Sequence, residues 1–118
     1  MAALDVIAVF DIGKTNKKLL LFDPDYNIVY EENACFDEIS DEEGDRCENL
    51  QSIEVFVFEN LKKIQERTSV QVRALNFCTY GASFVHTGSA GKPLTVLYNY
   101  LKAYPNDLLR QFYERYGG

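Results

Sequence analysis

The chain has 118 residues and a mass of 13.5 kDa, so one domain is the ceiling. Its composition of 47% hydrophobic and 14% aromatic residues with only 3 prolines supplies a packed core and excludes disordered or collagen-like structure. Twelve Lys and Arg against 18 Asp and Glu give a net charge of -6, which argues against general nucleic-acid binding, because a phosphate backbone favours a basic surface.

Val6-Ile-Ala-Val-Phe10 is a short apolar run rich in β-branched residues, the pattern of a strand buried on both faces. Gly13 permits a tight turn, and Lys18-Leu-Leu-Leu-Phe22 predicts a second strand. Asp23 to Asn27 is rich in turn residues, and Ile28-Val-Tyr30 begins a third strand running into Asn33-Ala-Cys-Phe36. Three strands joined by short loops predict an antiparallel meander.

Nine of the 18 acids lie between positions 31 and 48, where Arg46 is the only base, leaving nine acids and eleven bases elsewhere. That acidic stretch, with Gly44, reads as a solvated loop. From about Asn49 to Arg67, the residues Leu50, Ile53, Val57, Leu61 and Ile64 recur at helical spacing. The segment Glu54-Val-Phe-Val-Phe58 has strand character, and the length of the stripe decides for a helix. Val70 to Tyr80 predicts a fourth strand, ending at Gly81. Ser83 to Thr87 and Lys92 to Leu97 flank Gly88-Ser-Ala-Gly91 as a hairpin. Asn106 is positioned to cap a last helix with Leu108, Leu109, Phe112, Tyr113 and Tyr116 on one face and Gly117-Gly118 at its exit. The order predicts a mixed α/β sheet: meander, crossover helix, a fourth strand parallel to the first by a right-handed crossover, then a hairpin and a C-terminal helix.

Cys35, Cys47 and Cys78 cannot all pair and lack CxxC spacing, so free thiols of a reducing compartment are expected, and His86, the only histidine, has no cysteine close by for a metal site. The N-terminus has no basic n-region, Asp5 interrupts its apolar run, and no apolar run approaches the ~20 residues a bilayer needs. A soluble cytoplasmic protein, without membrane or nucleic-acid partners, is expected.

Val9-Phe-Asp-Ile-Gly-Lys-Thr-Asn-Lys-Lys18 is the informative segment: an acid ends a buried strand and is followed by Gly, a hydroxyl, an amide and lysines. Such a hairpin presents backbone N-H groups, Thr15, Asn16 and an ammonium to an anion, while Asp11 holds a hydrated Mg²⁺ beside it. An Asp-stabilised turn is the bland alternative. Gly13-Lys14-Thr15 is no Walker A loop, because Ala8 stands where its first glycine belongs and a strand follows. Strand alternation directs Lys17 to solvent, on the face opposite Lys18.

This segment resembles the first phosphate motif of the FGGY carbohydrate kinases, Asp-x-Gly-[Thr/Ala]-[Thr/Ser]-[Ser/Asn]-x-[Lys/Arg], with Asp11, Gly13, Thr15, Asn16 and Lys18 matching and Lys14 replacing a small residue. Thr79-Tyr-Gly-Ala-Ser-Phe-Val85 is similar to the Thr-Trp-Gly-Val-Asp-Phe-Val stretch of the rhamnulokinase-like branch, and Lys92-Pro93 also fits. The resemblance implies a ribonuclease-H-like fold of the actin, Hsp70 and hexokinase superfamily. It also implies ATP-dependent phosphorylation of a sugar or polyol, with ATP and Mg²⁺ as cofactors. Asp11 is then the Mg²⁺ residue acting through water, and Gly13, Thr15, Asn16 and Lys18 bind phosphate. Gly81 and Ser83 are the sugar candidates, and Tyr80 is a stacking face for which core packing is the alternative. Ser83 departs from the family's carboxylate.

Family members are several times longer, so the expectation is a single domain over 1–118 that forms an incomplete N-terminal lobe, inactive alone, with the general base beyond Gly118. A missing C-terminal lobe or a homodimer then completes it. The alternative from another class is an interaction module that offers an exposed sheet edge and the acidic loop to a partner chain.

Overall fold

The computed structural model describes residues 2–118. Strands β1 (Leu4–Ile12), β2 (Lys17–Phe22) and β3 (Ile28–Ala34) form the expected meander. A two-stranded ribbon, β4 (Ile39–Ser40) with β5 (Arg46–Cys47), leads into helix α1 (Leu50–Gln65). Strand β6 (Val70–Thr79) then pairs parallel to β1, and helix α2 (Asn106–Tyr116) ends the chain. The main sheet has the order β3-β2-β1-β6, so the mixed sheet expected from the element order, an antiparallel meander with a parallel fourth strand, is present.

Alternation decides which face is buried. Val6, Ala8, Phe10 and Ile12 of β1 and Leu19 and Leu21 of β2 meet Ile53, Phe56 and Ile64 of α1 in one core. Phe10 lies edge-on to Phe56, with ring centroids 6.1 Å apart, and stacks on Phe77 at 5.3 Å. Truncating such a fully buried ring costs about 3–5 kcal/mol. The other face of β1 has no such cover: Ile7 is 39% exposed. The expectation of a strand buried on both faces is therefore corrected, because among the described residues α1 is the only helix packed on the sheet and α2 has no buried residue.

The stretch Glu54 to Phe58 is helical, as the length of its stripe requires, with Asn49 Oδ1 accepting from the Ser52 N-H at 3.1 Å as the N-cap. Lys62 and Lys63 sit in the last turn, where they suit the helix dipole. In α2 the cap expectation fails. Pro105 occupies the N-cap position with no side-chain cap bond, and Asn106 is the first helical residue. Gly117 ends this helix at φ 82°, its N-H bonded to the Tyr113 carbonyl. The apolar face of α2 is fully formed and exposed.

The hairpin around Gly88 to Gly91 is present, but its arms pair at only one bridge, Thr87 with Pro93. Pro93 has no N-H to donate, which prevents a longer ladder. The acidic stretch is the larger correction. It folds into the β4/β5 ribbon, buries Cys47 and Glu48, and is joined to the following structure by a bridge from Glu48 to Leu97.

Candidate functional site

The β1–β2 loop is drawn tight by backbone contact. A Cβ on Gly13 would lie 2.7 Å from the Asn16 carbonyl oxygen, closer than real Cβ contacts come, so the turn requires glycine there. Strand register sets Asp11 opposite Lys18 and Ile12 opposite Lys17. Asp11 and Lys18 therefore share the face turned away from the core, both half-buried. Thr15 and Asn16 are exposed at the tip. Asn16 Oδ1 accepts from the Cys35 thiol at 2.9 Å, which orients the amide.

The parallel pairing brings the second motif to the same end of the sheet. Ile12 is the register partner of Thr79, and the Tyr80 N-H donates to the Ile12 carbonyl at 3.3 Å. In open α/β sheets, ligands bind beyond the carboxyl ends of parallel strands, and both motifs stand at that end of β1 and β6. Gly81 is exposed and Ser83 half-buried. Between them Ala82 adopts φ 56°, a left-handed conformation that strains a residue bearing a Cβ.

The Tyr80 ring packs edge-on against Tyr100, with centroids 6.1 Å apart. Its hydroxyl is buried near Ser83 and Glu48 but completes a hydrogen bond with neither, and Ser83 Oγ likewise has no partner among the described residues. Burial, and then the nearby Glu48 carboxylate, push the Tyr80 phenol above its ordinary range.

Lys17 does not point to solvent. Its side chain is 0% exposed, and its Nζ donates to the Lys14 carbonyl at 2.7 Å and lies 3.6 Å from Glu48 Oε2. The expectation failed because the face opposite Lys18 is the face of Leu19 and Leu21, which α1 covers, with Glu48 placed against Lys17. The same alternation that places two leucines inside places Lys17 inside. Burial of an ammonium demands a counter-charge, and Glu48, 31 residues later and ordinary in sequence, supplies it. Asn99 extends the contact, its Nδ2 donating to Glu48 Oε1 at 3.2 Å and to Glu38 Oε1 at 2.8 Å. Lys14 Nζ and an Arg46 nitrogen lie 3.5 and 3.7 Å from Glu38.

These pairings sort the lysines of the loop. Lys14 is held by Glu38 and Lys17 by Glu48, whereas Lys18 makes no ion pair among the described residues. Lys18 is therefore the lysine of this loop whose ammonium has no carboxylate partner among the described residues. Other acids of the ribbon are also engaged: Asp41 accepts from the Tyr98 hydroxyl and Asp45 from Lys102. The bond to Asp41 pushes the Tyr98 phenol up to about 12. Asp41 is itself held below its ordinary range by Tyr98, and Glu38 by Asn99. Among the described residues, no three His, Cys, Asp or Glu side chains converge on a metal position. Asp11 is the carboxylate of this loop, and a single carboxylate with water and phosphate oxygens is a donor set of the kind that would hold Mg²⁺.

No family model matches the sequence, and no curated protein matches it. Solved structures do match the fold. Plasmodium falciparum glycerol kinase, solved with ADP, is similar at a TM-score of 0.79 and 20% identity, over 98% of this chain and 24% of that one. Gluconate kinase from Lactobacillus acidophilus is similar at 0.80 and 19% identity, over 98% and 23%. Xylulose kinase from the same organism also gives 0.80 and 19%, over 97% and 23%. The chain has a fold found in carbohydrate kinases, and spans about a quarter of the length of the kinase chains it matches.

Proposed function

We propose that this chain is the N-terminal, phosphate-binding part of an FGGY carbohydrate kinase of the rhamnulokinase-like branch, which transfers the γ-phosphoryl group of ATP to a sugar or polyol hydroxyl. The observation that carries the reading is the juxtaposition of two motifs, the Asp11 to Lys18 loop and the Thr79 to Ser83 turn, at one end of a parallel strand pair. The likeness to quarter-length portions of three sugar and polyol kinases supports it.

In this reading Mg²⁺-ATP, when bound, supplies the transferable group, and this chain binds and orients it. Asp11 holds the cation through water. The amides from Gly13 to Asn16, the Thr15 hydroxyl and Lys18 stabilise charge on the phosphoryl oxygens. Gly81 and Ser83 line the sugar side, with Tyr80 against them. The general base lies outside this chain, so residues 1–118 form an incomplete lobe that turns over no substrate by itself.

Titration of the ¹⁵N-labelled chain with Mg²⁺-ATP tests the reading. Shifts concentrated at Asp11 to Lys18, and their loss in Asp11→Ala, are expected; an unmoved loop refutes the phosphate role. Sugar-dependent ATP turnover by the chain alone refutes the division of the site.

A second reading has its own observation. Strand β6 is an open sheet edge on which Leu75 and Phe77 are 44% and 49% exposed, the feature of a strand that recruits a partner. In this reading the chain is an interaction module, and its solution mass reports a dimer that Mg²⁺-ATP leaves unchanged.

A further inference from the structure

We infer that Lys17, Glu48 and Asn99 form a positioning device that locks the β1–β2 loop in its anion-receiving shape and joins it to the sugar side of the site. The inference rests on the reading of that loop as the phosphate element. It starts from a closed circuit of contacts. The Lys17 ammonium donates to the Lys14 carbonyl and faces Glu48; Glu48 accepts from Asn99; Asn99 donates to Glu38; Glu38 faces the Lys14 ammonium. The circuit thus leaves Lys14 by its backbone and returns to it by its side chain.

Three properties make this more than surface pairing. The members at its centre, Lys17, Glu48 and Asn99, are 0%, 4% and 6% exposed, so their contacts are little screened by salt or water. The charges of Lys14, Lys17 and Arg46 face those of Glu38 and Glu48, whereas Lys18 is the lysine of the loop that makes no ion pair among the described residues. The contacts also bridge long sequence separations: Asn99 lies 51 residues from Glu48 and 61 from Glu38. Displacing the 98–101 segment therefore takes Asn99 away from the two glutamates that face Lys17 and Lys14.

The segment that carries Asn99 also reaches the second motif: the Tyr80 ring packs edge-on against Tyr100, with centroids 6.1 Å apart, and the neighbouring Asn99 donates to Glu48. The 99–100 pair so stands between the phosphate loop on one side and the Tyr80 to Ser83 turn on the other. A group that rearranges this turn on binding acts on Tyr100, and through Asn99 and Glu48 on Lys17 and the Lys14 carbonyl. The loop is shaped by residues that touch no ligand, and Lys17 is a positioning residue, not a phosphate ligand.

The experiment compares amide spectra of the labelled chain as wild type, Lys17→Met and Asn99→Ala. Lys17→Met keeps side-chain length and removes the donors and the charge. The expected result is that the Asn99 side-chain NH₂ resonances and the Gly13 to Asn16 amides move together in Lys17→Met, while β1–β6 ladder amides such as Ala8 and Leu75 stay in place. Asn99→Ala, which leaves the lysine in the sheet, is expected to move the same loop amides from a distance. Should Lys17→Met fail to fold, Asn99→Ala decides alone. Loop amides that ignore both changes, or Asn99→Ala alone, overturn the inference. Mg²⁺-ATP is then titrated into each, with affinity expected to fall about tenfold in the variants. Wild type that ignores Mg²⁺-ATP sinks the phosphate reading, whereas wild-type binding that the variants retain in full sinks the positioning role.

Discussion

Replacing Gly13 by alanine tests whether the β1–β2 loop is a fixed cradle. Two effects oppose each other. Alanine restricts the unfolded chain, which stabilises by about 0.4–1 kcal/mol wherever the native backbone tolerates it. Against this, the new Cβ would stand 2.7 Å from the Asn16 carbonyl oxygen, and ordinary contact begins at 3.4 Å, so that backbone oxygen must retreat by 0.7 Å. A carbonyl cannot swing aside as a side-chain terminus does. Forced overpacking of this kind costs about 1–3 kcal/mol, so the clash outweighs the entropic gain and a net loss of about 1–2 kcal/mol is expected. At roughly 3–6 °C per kcal/mol for a domain of this size, that corresponds to a fall in Tm of roughly 3–12 °C. Thermal unfolding followed by circular dichroism measures it, and amide spectra should place the disturbance at Lys14 to Lys17. An unchanged or raised Tm would show that the Asn16 carbonyl yields freely, and would refute the argument that the loop is held in one shape.

Further expectations follow from the same geometry. Ala82→Gly removes left-handed strain at φ 56° and should stabilise the chain by up to about 1 kcal/mol; a lower Tm in denaturant-free melts would contradict the strain. Removing one partner of the buried Lys17–Glu48 pair leaves the other uncompensated, so Glu48→Leu should cost about 3–5 kcal/mol, and Lys17→Met on top of it should recover part of that loss in urea unfolding. Two equal losses that simply add would mean the pair is uncoupled. Glu38 and Asp41 titrate below their ordinary values of 4.5 and 3.8 when folded. Their contribution is therefore complete above about pH 5 and lost as pH falls through the lowered folded values, so the β4/β5 ribbon and Tyr98 should loosen in acid, as near-ultraviolet circular dichroism would report. At the alkaline end, Tyr98 ionises near about 12 instead of 10.0, so its neutral-state stabilisation holds below 10.0 and disappears through about 12. A late step in tyrosinate absorbance should be absent from Asp41→Asn.

Local pattern was enough for the main architecture. The β-branched run of β1, the leucine run of β2 and the helical stripe from Leu50 to Ile64 carry their own periods, and short loops leave little choice of topology. The Asp11 to Lys18 loop was legible for the same reason: its residues are contiguous, and a glycine forced by a 2.7 Å backbone approach marks itself in sequence. The second motif was legible as a segment, but its place beside the first needed the parallel pairing of β6 with β1.

What only tertiary structure decided depends on partners distant in sequence. Alternation correctly set Lys17 and Lys18 on opposite faces, yet it could not say which face would be covered, and a lysine beside polar neighbours was assigned to water. The covering element is α1, and the counter-charge comes from Glu48, with Asn99 supplied from beyond β6. For the same reason the acidic stretch read as solvated, although Glu38, Asp41, Asp45 and Glu48 all have partners between Tyr98 and Lys102 or in the loop. A residue's period reveals its face, whereas the cost of burying its charge is set by whatever the fold brings opposite it, and that information lies elsewhere in the chain.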